Sequence, residues 1–190
     1  MHTPTQGMPL VSTEQASPEA AAILDETQRA IGMVPNMYRG MANYPALLRT
    51  YSYGYNLFRS TSGFSPVEQE VVFLTIAREN SCAYCMAAHS MVADQMQKMP
   101  ADALAALREG RQIGDSRLAS LQELTRLLTV NRGMIERADV ERFLAAGFAE
   151  SQVLAVLLAI GVKIFSNYSN HVLATPVDDA FSGYAWTKAD

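Results

Sequence analysis

Apolar residues recur with a helical period along nearly the whole chain after residue 17. Alternating β-branched residues form no run long enough for a paired strand. Ser65, Pro66 and Glu68 have the spacing of a capping box, which predicts a helix from about residue 66 to 79. The other predicted helices cover about residues 20–30, 45–58, 82–98 (with Ser81 as N-cap), 104–109, 116–130, 136–146 and 150–171. The pattern therefore predicts an all-α fold.

The chain length favours one domain. A chain of 190 residues with 49% hydrophobic residues can bury one sizeable core and does not need a second. We expect a flexible N-terminal arm over residues 1–16, which are rich in Pro, Thr, Gln and Ser, and one helical domain over residues 17–190. The longest apolar stretch, about residues 153–165, is shorter than the ~20 residues that cross a bilayer, which favours a core helix.

The charge distribution narrows the range of partners. The net charge is −4, and the 15 Lys and Arg residues are scattered, so no basic stripe is available to bind a phosphate backbone. The first residues contain neither a basic region nor an apolar region of the secretory type. We therefore expect a cytoplasmic protein with no nucleic-acid partner and no membrane partner.

The two cysteines, Cys82 and Cys85, lie three positions apart. A lone C-x-x-C in a reducing compartment indicates redox chemistry or half a metal site. Helical spacing places Cys82, Cys85 and His89 on one face, close to a helix N-terminus that favours thiolate over thiol. A thiolate attacks an O–O or S–S bond, and a neighbouring cysteine can capture the sulfenic acid as a disulfide.

Three further side chains are candidates for the same site. His89 has the pKa range needed to take the thiol proton and return it to a leaving group. Glu70 falls on an apolar side of its helix, where a carboxylate needs a partner. An interaction with His89 and a buried salt bridge, to Arg78 or another arginine, would both explain Glu70. Tyr84 could donate a hydrogen bond, relay a proton or pack in the core.

The pattern Glu70-x11-Cys82-x-Tyr84-Cys85-x3-His89 resembles the signature of the alkylhydroperoxidase D-like (AhpD-like) branch of the carboxymuconolactone decarboxylase family. The likeness to the peroxidase-related members extends to residues 34–39, 65–66, 87–90 and 165–171. Tyr168 and His171, in the last of these segments, receive no role.

The resemblance implies a peroxidase that uses no metal, haem or other cofactor. In this cycle Cys85 would be the peroxidatic thiol, deprotonated through His89 with Glu70 behind it. Cys82 would form the redox disulfide with Cys85 and exchange it with an external thiol reductant, which is a lipoylated protein in the best-studied members. The resemblance also implies a homotrimer or homohexamer.

Other interpretations stay open at the level of sequence. The founding peroxidases have histidine where this chain has Tyr84, which allows a different proton relay, reductant and substrate. Zinc would accept Cys82, Cys85 and His89 as ligands. The chain could also be a decarboxylase or isomerase of a lactone acid, although such members generally lack the cysteine pair, or a scaffold whose cysteines only sense oxidation.

Overall fold

The computed structural model describes residues 8–188. Within this range the regular structure is entirely helical, which confirms the predicted all-α fold and its single domain. The α-helices are α1 (Pro18–Ile31), α2 (Asn36–Met41), α3 (Pro45–Thr61), α4 (Pro66–Glu79), α5 (Ala83–Met91), α6 (Ala101–Glu109), α7 (Ser116–Val130), α8 (Arg137–Ala145) and α9 (Glu150–Leu173). Two short 3₁₀ helices (Thr13–Gln15 and Asp179–Tyr184) and one π-helical turn (Val92–Met96) complete the regular elements of this range.

Helix α4 is the centre of the fold. The predicted capping box is confirmed: Ser65 Oγ accepts a hydrogen bond from the Glu68 N–H at 3.2 Å, and Glu68 Oε2 accepts one from the Ser65 N–H at 2.8 Å. Residues 68–77 of α4 are all buried, and α5, α6, α7 and α9 pack around them. A helix that is buried on every side holds its side chains in fixed positions, and one of these side chains is Glu70.

A sharp corner joins α4 to α5. Ser81 has a left-handed backbone (φ 58°), and the Cys82 N–H donates to the Ala77 carbonyl at 2.9 Å, as in a Schellman motif. Cys82 then becomes the N-cap of α5, because its Sγ accepts from the Cys85 N–H at 3.4 Å. The predicted N-cap at Ser81 is therefore wrong, since Ser81 terminates α4.

The helix that carries the cysteines is also shorter than predicted. The α-helical hydrogen bonds of α5 end at Met91, and the π-helical turn follows, whereas the pattern predicted one helix to about residue 98. Apolar periodicity does not distinguish α-helical from π-helical turns, since both keep the same side chains near the core.

Helix α9 crosses the molecule beside α2, α3, α4 and α5. It has 24 residues and a mean hydropathy of 1.4 in its most apolar window, so by length and composition alone it could cross a membrane. In this fold 39% of that window is buried, and the buried side includes Val156, Ala159, Val162 and Lys163. These contacts favour the interpretation as a core helix, although the helix is longer than its apolar stretch suggested.

The two ends of the described chain both pack on helices. Residues 1–7 of the predicted arm lie outside the described residues, so its flexibility stays a prediction. Further along the arm, the Val11 N–H donates to the Arg39 carbonyl of α2 at 3.1 Å. After α9, the 3₁₀ helix Asp179–Tyr184 packs on α5. The chain then reaches α6, where Arg108 Nη2 donates to the Ala185 carbonyl at 2.9 Å and Trp186 Nε1 donates to the Arg108 carbonyl at 2.8 Å. The sequence predicted neither this return nor α2.

Gly54 and Gly161 provide a matched test of helix packing. A Cβ at Gly54 of α3 would lie 2.8 Å from Val162 Cγ2 of α9, whereas one at Gly161 would meet nothing within 4 Å. We expect Gly54→Ala to lower the free energy of unfolding by about 1–3 kcal/mol, because the stiff valine cannot move aside. Gly161→Ala should raise it by roughly 0.5–1 kcal/mol through helix propensity. Urea denaturation measures both, and equal effects of the two changes would contradict this packing.

Candidate active site

The two sulfur atoms occupy different positions at the start of α5. Both cysteines are free thiols in this structure, with Cys82 fully buried and Cys85 2% exposed. Cys85 borders a cavity of about 700 Å³, and Cys82 is not among the residues that line it. Of the three residues that helical spacing places on one face, Cys85 and His89 border the cavity and Cys82 does not, because the N-cap position turns the Cys82 side chain back towards its own helix.

Glu70 lies behind His89 and is fully buried. Its Oε2 is 2.8 Å from His89 Nδ1, and its Oε1 accepts a hydrogen bond from Arg59 Nη2 at 2.5 Å. Both interpretations of Glu70 thus describe the same carboxylate, with Arg59 instead of Arg78 as the salt-bridge partner. Because an ionised carboxylate only accepts hydrogen bonds, Nδ1 of a neutral His89 carries the proton, and Nε2 is the basic nitrogen.

Burial and neighbouring charges decide the protonation states of this chain of contacts. Burial lowers the pKa of His89, and repulsion by Lys163 and Arg59 adds to this effect, which outweighs the attraction of Glu70. Burial opposes ionisation of Glu70, but the hydrogen bonds and charges of His89 and Arg59 lower its pKa overall. At neutral pH the arrangement is therefore a carboxylate, a guanidinium and a neutral imidazole.

Helix α9 supplies an amide donor to the sulfurs and holds a second amide close by. Asn170 Nδ2 donates to Cys85 Sγ at 3.3 Å and also lies 3.8 Å from Cys82 Sγ. Asn167 is fully buried, and its Oδ1 accepts a hydrogen bond from Asn80 Nδ2 at 2.9 Å. This bond orients the Asn167 amide between α9 and the end of α4. An amide donor stabilises a thiolate more than a thiol.

The two cysteines consequently differ in acidity. Burial opposes ionisation of Cys85, but the hydrogen bond from the Cys82 thiol and the charge of Lys163 hold the pKa of Cys85 well below its ordinary value. The same hydrogen bond, together with burial, raises the pKa of Cys82. The sequence indicated a thiolate at either cysteine, and this expectation is wrong for Cys82, because a buried thiol that donates its proton to a neighbouring sulfur resists ionisation.

Tyr84 serves the C-terminal segment. Its hydroxyl donates to Asp178 Oδ2 at 2.5 Å and accepts from the Met37 N–H at 3.3 Å. Burial raises the pKa of Tyr84, and the bond to the Asp178 carboxylate raises it further. Asp178 also accepts from the Asn36 N–H at 3.0 Å. The hydroxyl thus joins α5 to α2 and the chain end, and neither cysteine is its hydrogen-bond partner.

Five tyrosine and phenylalanine side chains contribute to the wall of the cavity. Helices α1, α2, α3 and α5 surround it, with the C-terminal segment at one side. Its aromatic lining consists of Tyr38, Tyr51, Tyr55, Tyr84 and Phe181, and the reactive groups on its surface are Cys85, His89 and Lys163. The cavity could hold a small organic molecule against the Cys85 sulfur.

Sequence reasoning missed Arg59, Lys163, Asn167 and Asn170. Three of these lie on α9, far from the cysteines in the sequence, and the one sequence signal for Lys163 is a charged residue within an apolar stretch. Tyr168, 53% exposed, stacks on His171, and neither residue lines the cavity. Within residues 8–188, no group of three or more His, Cys, Asp or Glu side chains is placed to hold a metal ion, so the zinc interpretation gains no support.

A protein-family comparison matches the part of the chain that contains the candidate site. Residues 45–126 match the model of the Carboxymuconolactone decarboxylase family, a segment that includes Glu70, both cysteines and His89. Among curated proteins, none matches the sequence.

Several solved structures share the fold. An uncharacterized peroxidase-related protein from Ralstonia eutropha JMP134, described as an alkylhydroperoxidase AhpD core, has a TM-score of 0.81 and 18% identity over 91% of this chain and 92% of its own. A peroxidase-related protein from Silicibacter sp. TM1040 has a TM-score of 0.79 and 22% identity over 96% and 98%. A cysteine-to-alanine variant of the debrominase Bmp8, in complex with 2,3,4-tribromopyrrole, has a TM-score of 0.77 and 11% identity over 97% of each chain.

The unequal acidity of the two thiols can be measured directly. We expect Cys82→Ser, which retains Cys85, to develop thiolate absorbance at 240 nm below pH 8.5, the ordinary value for a cysteine. Cys85→Ser, which retains Cys82, should develop it only above pH 8.5, because burial disfavours that thiolate. The absorbance reports ionisation whether or not a reagent can reach the sulfur. Equal titration midpoints for the two variants would disprove the asymmetry.

Proposed function

We propose that the chain is a thiol peroxidase in which Cys85 reduces a hydroperoxide and Cys82 completes the disulfide. The match of residues 45–126 to the Carboxymuconolactone decarboxylase family and the fold shared with an alkylhydroperoxidase AhpD core support this proposal. One observation carries this proposal. The acidic sulfur of Cys85 borders an aromatic cavity and has a second, protonated thiol directly behind it. This arrangement supports a nucleophile and a base at the cavity, with the resolving thiol behind the nucleophile.

In the first step, the Cys85 thiolate attacks the terminal oxygen of the hydroperoxide and the O–O bond breaks. The departing alkoxide takes up a proton and leaves as an alcohol. His89, which is neutral at rest, passes this proton on from solvent through Nε2. Glu70 stabilises the imidazolium in between, since its Oε2 accepts from Nδ1. The product on the enzyme is the sulfenic acid of Cys85.

In the second step, the Cys82 sulfur attacks the sulfenic sulfur, and hydroxide leaves with the Cys82 proton as water. The net reaction of the two thiols with ROOH gives a disulfide, ROH and H₂O. Asn170 lies within reach of both sulfurs and can hold them close together during this exchange.

An external thiol must then reduce the disulfide. Because Cys82 is fully buried and Cys85 borders the cavity, this thiol attacks the Cys85 sulfur and releases Cys82. The raised pKa of Cys82 means that it takes up a proton as it leaves. The reductant must reach Cys85 through the cavity. A small thiol, or a lipoyl group that extends from a protein, can enter the cavity, whereas a cysteine on a protein surface is too bulky.

The proposal includes a homotrimer or homohexamer in the cytoplasm. Support for an oligomer comes from apolar side chains on the outer side of α9, which are 36–66% exposed in the single chain. They are Leu154, Leu157, Leu158, Ile164 and Phe165.

A second candidate function is reductive dehalogenation of a small haloaromatic compound. The tyrosine-rich cavity wall at Cys85 favours it, and the debrominase Bmp8 has the same fold. Like the peroxidase reaction, this reaction takes two electrons from the cysteine pair: ArBr and two thiols give ArH, bromide, a proton and a disulfide. The C-x-x-C pair is suited to both reactions, so the oxidant that the cavity accepts decides between them.

Cysteine variants test the peroxidase cycle. We expect reduced wild-type protein to consume cumene hydroperoxide and lose both thiols, and Cys85→Ser to react at least about a thousandfold more slowly. Cys82→Ser should reduce one equivalent and stop at a sulfenic acid that dimedone traps, because no resolving thiol remains. Thiol titration and mass spectrometry give these readouts.

A histidine pair controls for general effects of substitution. His89→Gln should lower the rate by about 10²- to 10⁴-fold, whereas His171→Gln, which lies away from the cavity, should retain it. Unimpaired turnover in Cys85→Ser would refute the mechanism.

The alternative reaction is tested without any hydroperoxide. If dehalogenation is the function, reduced protein under argon should release bromide from 2,3,4-tribromopyrrole in proportion to disulfide formed, and Cys85→Ser should release none. Ion chromatography measures the bromide. An absence of bromide alongside rapid hydroperoxide consumption would exclude this candidate and leave the peroxidase.

A further inference from the structure

Lys163 is a buried cation that the proposed cycle does not use. Lys163 lies on α9 and is 1% exposed. Its Nζ lies 5.4 Å from the centre of the Phe73 ring. Lys163 borders the same cavity as Cys85 and His89. It forms no ion pair with a carboxylate among residues 8–188. A buried ammonium group without a negative partner costs several kcal/mol, so its position requires a compensating charge nearby.

Among the buried titratable groups near Lys163, one source of negative charge remains. Glu70 on α4 uses one oxygen for Arg59 of α3 and the other for His89 of α5. Tyr51 and Tyr55 of α3 are neutral, because burial raises the pKa of both. Cys82 stays protonated. The Cys85 thiolate is therefore the group that balances the charge of Lys163.

Oxidation removes this balance. The conversion consumes one thiolate, one thiol, ROOH and a proton, and it yields a neutral disulfide, ROH and water. The negative charge at Cys85 disappears in this step while the Lys163 ammonium stays buried at the cavity. The same applies to any two-electron oxidation of the cysteine pair to a disulfide.

We propose that oxidation of Cys85 converts this end of the cavity into an anion-binding site, in which Lys163 holds the carboxylate of a ligand that has an aromatic or apolar body. The inference rests on the proposed function in that it needs the Cys82–Cys85 disulfide to form. The reduced protein excludes such a ligand because the Cys85 thiolate already neutralises the charge of Lys163 and repels a second anion. The oxidised protein admits it because an external anion restores neutrality.

The walls of the cavity determine the rest of the ligand. Tyr38, Tyr51 and Tyr55 supply aromatic surface, and Met33 and Met91 supply adaptable apolar contacts. Glu26 is the one carboxylate side chain among the lining residues, and it is exposed on α1. A phenyl ring with a short carboxylate side chain matches these features, and 3-phenylpropionate is a suitable probe.

The test compares 3-phenylpropionate with 3-phenylpropionamide, which has the same shape and no charge, by isothermal titration calorimetry. The full chain is used reduced and after oxidation to the disulfide with diamide. We expect oxidised wild-type protein to bind the carboxylate at least about tenfold more tightly than reduced protein does, and at least about tenfold more tightly than it binds the amide.

Lysine variants locate the effect. Lys163→Met, which keeps most of the side-chain volume, should abolish the preference for the carboxylate in the oxidised protein, whereas Lys163→Arg should retain it. Lys98→Met is the matched control, because Lys98 is exposed and does not line the cavity. Circular dichroism checks that each variant is folded.

Cys85→Ser keeps the inference testable if a lysine variant does not fold. This variant has no thiolate at position 85, so it should bind the carboxylate without any oxidant. Equal affinity for carboxylate and amide in the oxidised wild type, or a preference that survives Lys163→Met, would overturn the inference. No hydroperoxide is present in these titrations, so failure of peroxidase activity would be seen separately from failure of anion binding.

Discussion

The buried carboxylate of Glu70 is the interaction on which the site depends. With no exposure to solvent, it needs partners for both oxygens, and it finds them in Arg59 and His89. This arrangement fixes the imidazole tautomer, so that the basic nitrogen is the one left for the cavity. It also uses up the negative charge of Glu70, which leaves the Cys85 thiolate as the counter-charge of Lys163. The acid–base chemistry and the electrostatics thus share one origin.

The corner between α4 and α5 separates the roles of two chemically identical residues. Because Ser81 takes the left-handed conformation, Cys82 becomes the N-cap of α5 and its sulfur turns back towards the Cys85 N–H. One thiol is thereby placed in the core as a proton donor, and the other at the cavity as the acceptor. The C-x-x-C spacing permits this outcome, but the backbone of the corner selects which sulfur is acidic.

The sequence predicted much of the fold, because helix signals are local. The capping box at Ser65 follows from local spacing. The cost of a buried carboxylate indicated a partner for Glu70 but left His89 and an arginine as alternatives, and the structure shows both. The position of Tyr84 between the cysteines suggested a hydrogen-bonding role at the site. Its hydroxyl instead donates to Asp178, 94 residues away, which the local sequence could not indicate. Lys163 and Asn170 were not predicted for the same reason: their roles arise only when α9 packs beside α5.

The division of the site between two segments has a chemical consequence. The segment that matches the family, residues 45–126, contains Cys85, Cys82 and His89, the proposed nucleophile, resolving thiol and base. The groups that adjust the charge of the nucleophile, Lys163 and Asn170, come from α9 outside that segment. A change on α9 can therefore alter the acidity of Cys85 and the ligands accepted by each redox state without altering the redox residues. Under the proposed mechanism, two chains with the same Glu-Cys-Cys-His pattern can therefore differ in substrate, because the pattern supplies the redox residues and α9 supplies part of their electrostatic environment.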